Sequence, residues 1–274
     1  MHTVAVILAR AGSKGLPDKC VLPLCGRPVI AYTIAHAQQS RRVDAILVTT
    51  DSPRAAATAR QMGVMVIDRP PELAADTATT QDATRHAVGE YESRTGRQAD
   101  VIVVLGGNTP LREDGIIDRC IDRLVETGCD SVQTVGRVGK HHPDWMYRLE
   151  SGPADAGRVN AGRMSPYRPN NIVRRQDLEP LYGLDGAVVV VRRALLFSEA
   201  TASNPTAYLG QDRHAVVQEE PCVDIDTLAD FYQAEAMIRV RNETTIVDFP
   251  TGATRRRAVT AAIGHGAAHD RRHF

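Results

Sequence analysis

The chain has 274 residues, 43% of them hydrophobic and 24% charged, with a formal net charge of zero, which suits one large α/β domain or two small ones. Neutrality argues against broad nucleic-acid binding, which needs a basic face to displace counterions. No apolar run reaches the ~18 residues of a membrane span, and the apolar Thr3–Leu8 run is too short for a signal peptide.

In chain order, Thr3–Leu8 reads as a buried strand because it is short, apolar and ends at a glycine loop. Pro28–Ser40 reads as a helix, with Val29, Ile30, Ile34 and Ala37 at helical spacing and proline in its first turn. Ala45–Thr50 is a β-branched strand, and Asp51 or Ser52 can cap the alanine-rich helix that runs to Met62 before Gly63. Val64–Ile67 is a third strand. Thr79 and Asp82 form a capping pattern that opens a helix to about Tyr91. Val101–Leu105 is a strand, Glu113–Glu126 a helix stopped near Gly128, and Ser131–Val135 a strand.

After residue 137 the rhythm breaks. Lys140–Asn171 is rich in Gly, Pro, Arg and His and reads as an inserted β-arm. Gly186–Val191 and the shorter Val223–Ile225 are strands, and Thr227–Val240 is a helix. Strand–helix alternation implies parallel pairing through crossovers, and near-continuous apolar strands imply a sheet covered on both faces. The expected organisation is one α/β domain over 1–241, with an arm over about 138–175 and a tail over 242–274.

The five cysteines, Cys20, Cys25, Cys120, Cys129 and Cys222, form no CxxC pair and read as reduced thiols in a cytoplasm. Only three of the 33 basic residues are lysine, yet Lys14 and Lys19 fall within one six-residue window. That window follows the first strand: Ala9-Arg10-Ala11-Gly12-Ser13-Lys14-Gly15-Leu16-Pro17-Asp18-Lys19. Its glycines let backbone N–H groups face a concave path, and its three cations suit a triphosphate. It matches neither GxxxxGK[ST] nor GxGxxG. In Val223-Asp224-Ile225-Asp226-Thr227, the two aspartates lie on one side of an extended segment. Such carboxylates repel unless a cation lies between them, and magnesium takes one or two carboxylates plus phosphate oxygens. A helix cap at Asp226 is the plainer reading of that segment alone.

In combination these segments resemble the acylneuraminate cytidylyltransferases. The loop from Ala9 to Lys19 resembles the family's opening motif. Thr49-Thr50-Asp51-Ser52, Arg69-Pro70-Pro71-Glu72-Leu73-Ala74-Ala75-Asp76-Thr77-Ala78, Pro110-Leu111-Arg112, His142-Pro143, Arg174-Arg175-Gln176-Asp177-Leu178, Gly186-Ala187 and Asp224-Ile225-Asp226-Thr227 follow in the family's order. The resemblance covers roughly residues 3–240. It implies a three-layer, mostly parallel-sheet nucleotidyltransferase fold, Rossmann-like, with an inserted dimerisation arm. It also implies CTP as donor, an acidic acceptor, magnesium as cofactor and a homodimer, with no nucleic acid or membrane partner.

By the same resemblance, Arg10 and Lys19 hold the triphosphate, and Ala9, Ala11, Gly12, Ser13, Lys14 and Gly15 cradle it. Arg69, Asp76, Thr77, Ala78 and Thr79 lie against cytosine and ribose. Asp224 and Asp226 hold magnesium, with Arg10, Lys19 and Asp226 as the catalytic set. Asn108, Arg112, Arg174, Arg175, Gln176 and Asp185 face the acceptor, the arm residues from the same or the partner subunit. The chain departs from the family pattern at Cys20, where asparagine is usual, at Gly106-Gly107-Asn108-Thr109, where Gln-Pro-Thr-Ser is usual, and at Asp185, where asparagine is usual. The last two departures lead to the expectation of an acceptor other than N-acetylneuraminate: a nonulosonic relative or, alternatively, a small phosphonate. A nucleotide-sensing scaffold and a histidine-based metal hydrolase fit less well. The scaffold would not need Arg10, Lys19, Asp224 and Asp226 together, and the adjacent His141 and His142 have poor ligand spacing.

Overall fold

The computed structural model describes residues 1–12, 15–150, 162–198, 204 and 206–242. In chain order the elements are β1 (Thr3–Leu8), β2 (Pro23–Leu24), β3 (Arg27–Pro28), α1 (Val29–Gln39), β4 (Ala45–Thr50), α2 (Pro53–Gln61), β5 (Met65–Asp68), α3 (Pro71–Ala74), α4 (Thr80–Thr95), β6 (Val101–Gly106), α5 (Ile116–Thr127), β7 (Ser131–Arg137), β8 (Tyr147–Glu150), β9 (Arg163–Pro166), β10 (Tyr182–Arg192), α6 (Arg193–Leu196), β11 (Arg213–Val217) and α7 (Leu228–Asn242).

Among the described residues, seven strands form the central sheet in the order β11-β7-β10-β6-β1-β4-β5. β1 pairs in parallel with both β4 and β6, so the chain reverses its direction of travel across the sheet on either side of β1. Alternation along β1 sorts the core. Ala5 and Ile7 face Ile30 and Ile34 of α1 and Ile121 of α5, while Val4 and Val6 face Ala87, Val88 and Tyr91 of α4. Each fully buried aliphatic side chain contributes roughly 1.5–3 kcal/mol. Ile34 is fully buried, so truncating it to Ala would cost about 2–5 kcal/mol.

Caps and breaks follow local chemistry. The Ser52 side chain accepts from the Ala55 amide at 3.3 Å and Thr79 from the Asp82 amide at 3.0 Å, which starts α2 and α4. Gly96 and Gly128, both left-handed, close α4 and α5.

Four expectations change. β10 reaches back to Tyr182 and runs antiparallel to both neighbours, because the arm returns the chain to the opposite end of the sheet. β11 joins the edge, parallel to β7, from a stretch with no strong alternation. α5 begins at Ile116, after left-handed Gly115, and not at Glu113. Val223–Ile225 forms no strand; the Ile225 amide instead bonds the Asn108 carbonyl at 3.0 Å and pins that segment beside β6. The described part of the arm pairs β8 with β9 in a separate antiparallel sheet, as the β-arm reading expected. Residues 151–161 and all of the tail beyond Asn242 lie outside the described residues.

Candidate active site

A cavity of about 390 Å³ opens at the carboxyl ends of β1 and β6, on either side of the point where strand order reverses. That is where open parallel sheets leave a crevice between diverging loops. Its wall includes Leu8, Arg10, Lys19, Cys20, Arg69, Asp76, Ala78, Thr79, Asn108, Thr109 and Asp224.

The glycine loop leaves β1 and turns along one rim. Ala9 is buried, its amide on the Thr49 carbonyl, and the Ala11 amide donates to the Asp51 carboxylate at 2.8 Å. Gly12 faces open space, whereas a Cβ at Gly15 would lie 2.5 Å from the Asp226 carbonyl oxygen. Gly15 is therefore glycine because the loop touches the start of the α7 segment. Ser13 and Lys14 lie outside the described residues.

Both described cations of the loop are held by carboxylates from elsewhere in the chain. Arg10 Nη1 donates to Asp76 Oδ1 at 2.9 Å, and Lys19 Nζ to Asp226 Oδ1 at 2.5 Å. The Lys19 side chain is 13% exposed and that of Asp226 66%, so the ammonium lies in the wall and the carboxylate at the mouth.

Arg69 follows β5 and is buried. Its Nη2 donates to the Thr49 carbonyl at 2.8 Å and its Nε to Thr49 Oγ1 at 3.3 Å. Burial lowers its pKa, with the Asp51 carboxylate opposing. Asp76, Ala78 and Thr79 line the cavity, but Thr77 is exposed and does not. Burial pushes the Cys20 thiol up to about 11, so it is a neutral wall group and not a nucleophile at neutral pH.

At the opposite rim Asn108 joins the β6 end to the aspartate segment. Its Nδ2 bonds the Asp224 carboxylate, and also the Ile225 carbonyl at 3.1 Å. The Asp224 pKa is raised, first by desolvation between the cavity walls and then by the negative charge of Asp226, with Lys19 opposing. Among the described residues no three His, Cys, Asp or Glu side chains converge as a metal cage. Two carboxylates completed by substrate oxygens remain a fitting donor set for magnesium.

On the acceptor side the structure places several of the expected residues away from the cavity of a single chain. Arg112 is fully buried and lines no part of the cavity; its donors are spent on protein acceptors. Asp185 turns away from the cavity, its Oδ1 accepting from Thr134 Oγ1 and the Ala187 amide, while neighbouring Gly186 lines the wall. Packing requires glycine at 107, where a Cβ would meet backbone, and less so at 106, where it would meet only side-chain ends. A Cβ at Gly106 would lie 2.8 Å from Thr109 Oγ1, and one at Gly107 2.9 Å from the Leu8 carbonyl oxygen. Arg174, Arg175 and Gln176 are exposed on the arm and line no part of the cavity in a single chain.

The sequence reading missed Tyr208 and Val189, which close the apolar side of the cavity. The Tyr208 hydroxyl bonds Thr80, and burial raises its pKa. A lone tyrosine in a three-residue turn carries no local signal; only the packing of that turn on α4 brings it to the wall.

Known proteins resemble this chain in sequence and in fold. The chain is 31% identical to the N-acylneuraminate cytidylyltransferase of Streptococcus agalactiae, over 84% of this chain and 52% of that protein. It is 28% identical to the CMP-N,N'-diacetyllegionaminic acid synthase of Legionella pneumophila, over 90% of this chain and 100% of that protein. The chain spans about half the length of the first curated relatives it matches. In fold it is similar to the solved CMP:2-keto-3-deoxy-manno-octonic acid synthetase complexed with CTP, with a TM-score of 0.62 at 19% identity over 88% of this chain and 100% of that one. The cytidylyltransferase family profile matches residues 4–143, from β1 through the cavity-lining loops to the base of the arm, and the chain belongs to that family.

Proposed function

We propose that the protein transfers CMP from CTP to a hydroxyl of an acidic sugar and releases pyrophosphate. The observation that carries this reading is that Arg10, Lys19 and Asp224 line one cavity, with Asp226 paired to Lys19 at its mouth, and that the family match covers the strand ends bearing Arg10 and Lys19. In the reaction the acceptor oxygen bonds the α-phosphorus, the bond to the bridging β-phosphate oxygen breaks, and the hydroxyl proton passes to solvent. Such a step depends on positioning and charge neutralisation more than on covalent help.

In this reading Arg10 and Lys19 leave Asp76 and Asp226 for the phosphate oxygens, and Arg69 with Thr79 forms the wall toward base and ribose. Asp224 and Asp226 would hold magnesium, which when bound supplies Lewis-acid neutralisation of phosphate charge. The acceptor would lie on the side of Asn108, Gly186, Val189 and Tyr208. The relatives' names favour a sugar acid of the nonulosonic kind, and no observation favours a small phosphonate.

We also infer a homodimer, supported by the half-exposed apolar residues Tyr147, Leu149, Met164 and Tyr167 gathered on the arm. A cytoplasmic setting is supported by five free cysteines. The test is pyrophosphate release from CTP with magnesium, across N-acetylneuraminate, N,N'-diacetyllegionaminate and a hydroxyalkylphosphonate. Release with a sugar acid supports the reading, release with the phosphonate alone restores the alternative, and release with no acid rejects it.

A further inference from the structure

Arg112 follows the Gly106–Thr109 loop and has no exposed surface. A buried guanidinium is costly, and an apolar side chain of similar size would fill the space at less cost. Burial pushes its pKa down to about 10, opposed by Cys222 and by the carboxylates of Asp185 and Asp224, so it stays charged at neutral pH. No carboxylate pairs with it directly among the described residues. Its donors go instead to three separate segments. Nε donates to the Ala187 carbonyl at 2.8 Å, Nη1 to Thr33 Oγ1 of α1 at 3.0 Å and to the Thr109 carbonyl at 2.5 Å, and Nη2 to the Gly106 carbonyl at 3.1 Å. Two of the three border the cavity. Gly106 and Thr109 line it directly, as does Gly186 beside Ala187. The same loop carries Asn108, whose side chain holds Asp224 and whose carbonyl receives the Ile225 amide.

We propose that Arg112 is a positioning residue for the transfer step: its planar fork fixes the Gly106–Thr109 loop, and through Asn108 the Asp224 carboxylate, at a set separation from Gly186–Ala187 across the cavity. The proposal rests on the cytidylyl-transfer reading above. Lysine cannot substitute, because an ammonium is a compact group without the rigid planar fork that reaches divergent acceptors. Thr33 is the second part of the hub, since its hydroxyl lies 3.1 Å from both the Gly106 and the Thr109 carbonyls.

The test uses the full chain carrying Arg112→Lys and, separately, Thr33→Val, a near-isosteric change that leaves the guanidinium in place. Hydrogen exchange is followed by mass spectrometry, CTP affinity by calorimetry, and turnover with the best acid of the panel. In Arg112→Lys, peptides covering 104–112 and 222–228 should exchange faster while those covering β1 and β4 stay protected. CTP affinity should stay within about threefold, while kcat falls about 10²-fold, as expected for a misplacement of about 1 Å. Thr33→Val should show the same pattern at smaller size. Unchanged kcat, loosening of β1 and β4 to the same degree, or CTP affinity falling in step with kcat would each overturn the proposal. If wild-type protein transfers CMP to no acid, the cytidylyl-transfer reading fails, and the exchange pattern alone then decides whether Arg112 holds the two segments together.

Discussion

Lys19 Nζ lies 2.5 Å from Asp226 Oδ1, across 207 residues of sequence. The pair joins the end of the glycine loop to the start of the α7 segment. It leaves the ammonium oriented at the cavity wall, where a phosphate oxygen could replace the carboxylate.

Lys19→Ala should therefore lower turnover by about 10²–10³, the usual loss for one preorganised charge at a developing oxyanion. The measurement is kcat at saturating CTP, with circular dichroism to confirm folding. Near-wild-type turnover would remove Lys19 from the transfer step.

Activity should require a divalent cation held at Asp224 and Asp226. Asp226→Asn should fold normally and lose most activity, with partial recovery in excess magnesium. Calorimetric titration of magnesium into the CTP-loaded protein should show weaker binding in the variant. Full activity in chelator would refute the carboxylate pair as a metal site.

Gly107→Ala should destabilise the fold by roughly 1–3 kcal/mol, the usual cost of overpacking. The added Cβ would meet the Leu8 carbonyl oxygen at 2.9 Å and Ala9 Cβ at 3.1 Å, and neither is a flexible chain end. Urea unfolding reads the loss. A variant as stable as wild type would reopen the case for Gly107 as a specificity position.

Leu149 of β8 pairs in register with Met164 of β9, and both are about half exposed, at 49% and 56%. The double change Leu149→Asp and Met164→Asp should convert a dimer to a monomer in sedimentation velocity. If Arg175 completes the partner's acceptor pocket, mixing Lys19→Ala with Arg175→Ala protein should regain part of the lost activity. Wild-type sedimentation as a monomer with full activity would exclude the arm as an interface.

The Asp44 carboxylate accepts from the Thr3 amide at 2.8 Å, and that bond is the main cause of its lowered pKa. A depressed folded-state pKa contributes stability that is present above the ordinary carboxylate range and lost as pH falls through the folded value. Asp44→Asn should accordingly melt below wild type at neutral pH, and the gap should close below about pH 4. A gap that persists undiminished at pH 3 would point to packing and not to charge.

Sequence alone determined the elements whose signals are local. β1, β4 and β6 are short runs of apolar and β-branched residues, Ser52 and Thr79 sit where helix caps must, and the loop from Ala9 to Lys19 gathers its cations within a few residues. Those features depend on φ/ψ preference and side-chain period, which neighbouring residues set among themselves. What tertiary structure decided are relations between segments far apart. Arg112 looks like an acceptor ligand in sequence and is a buried strut, because Ala187 and Thr33 come to it from 75 and 79 residues away. Asp185 looks like a site charge and turns toward Thr134, in the stretch of β10 between Leu184 and Val189 where the pairing register shifts. Tyr208 carries no motif and becomes a wall. In each case the direction of a side chain follows from pairing register and from which buried polar groups need partners, and neither can be read from adjacent residues.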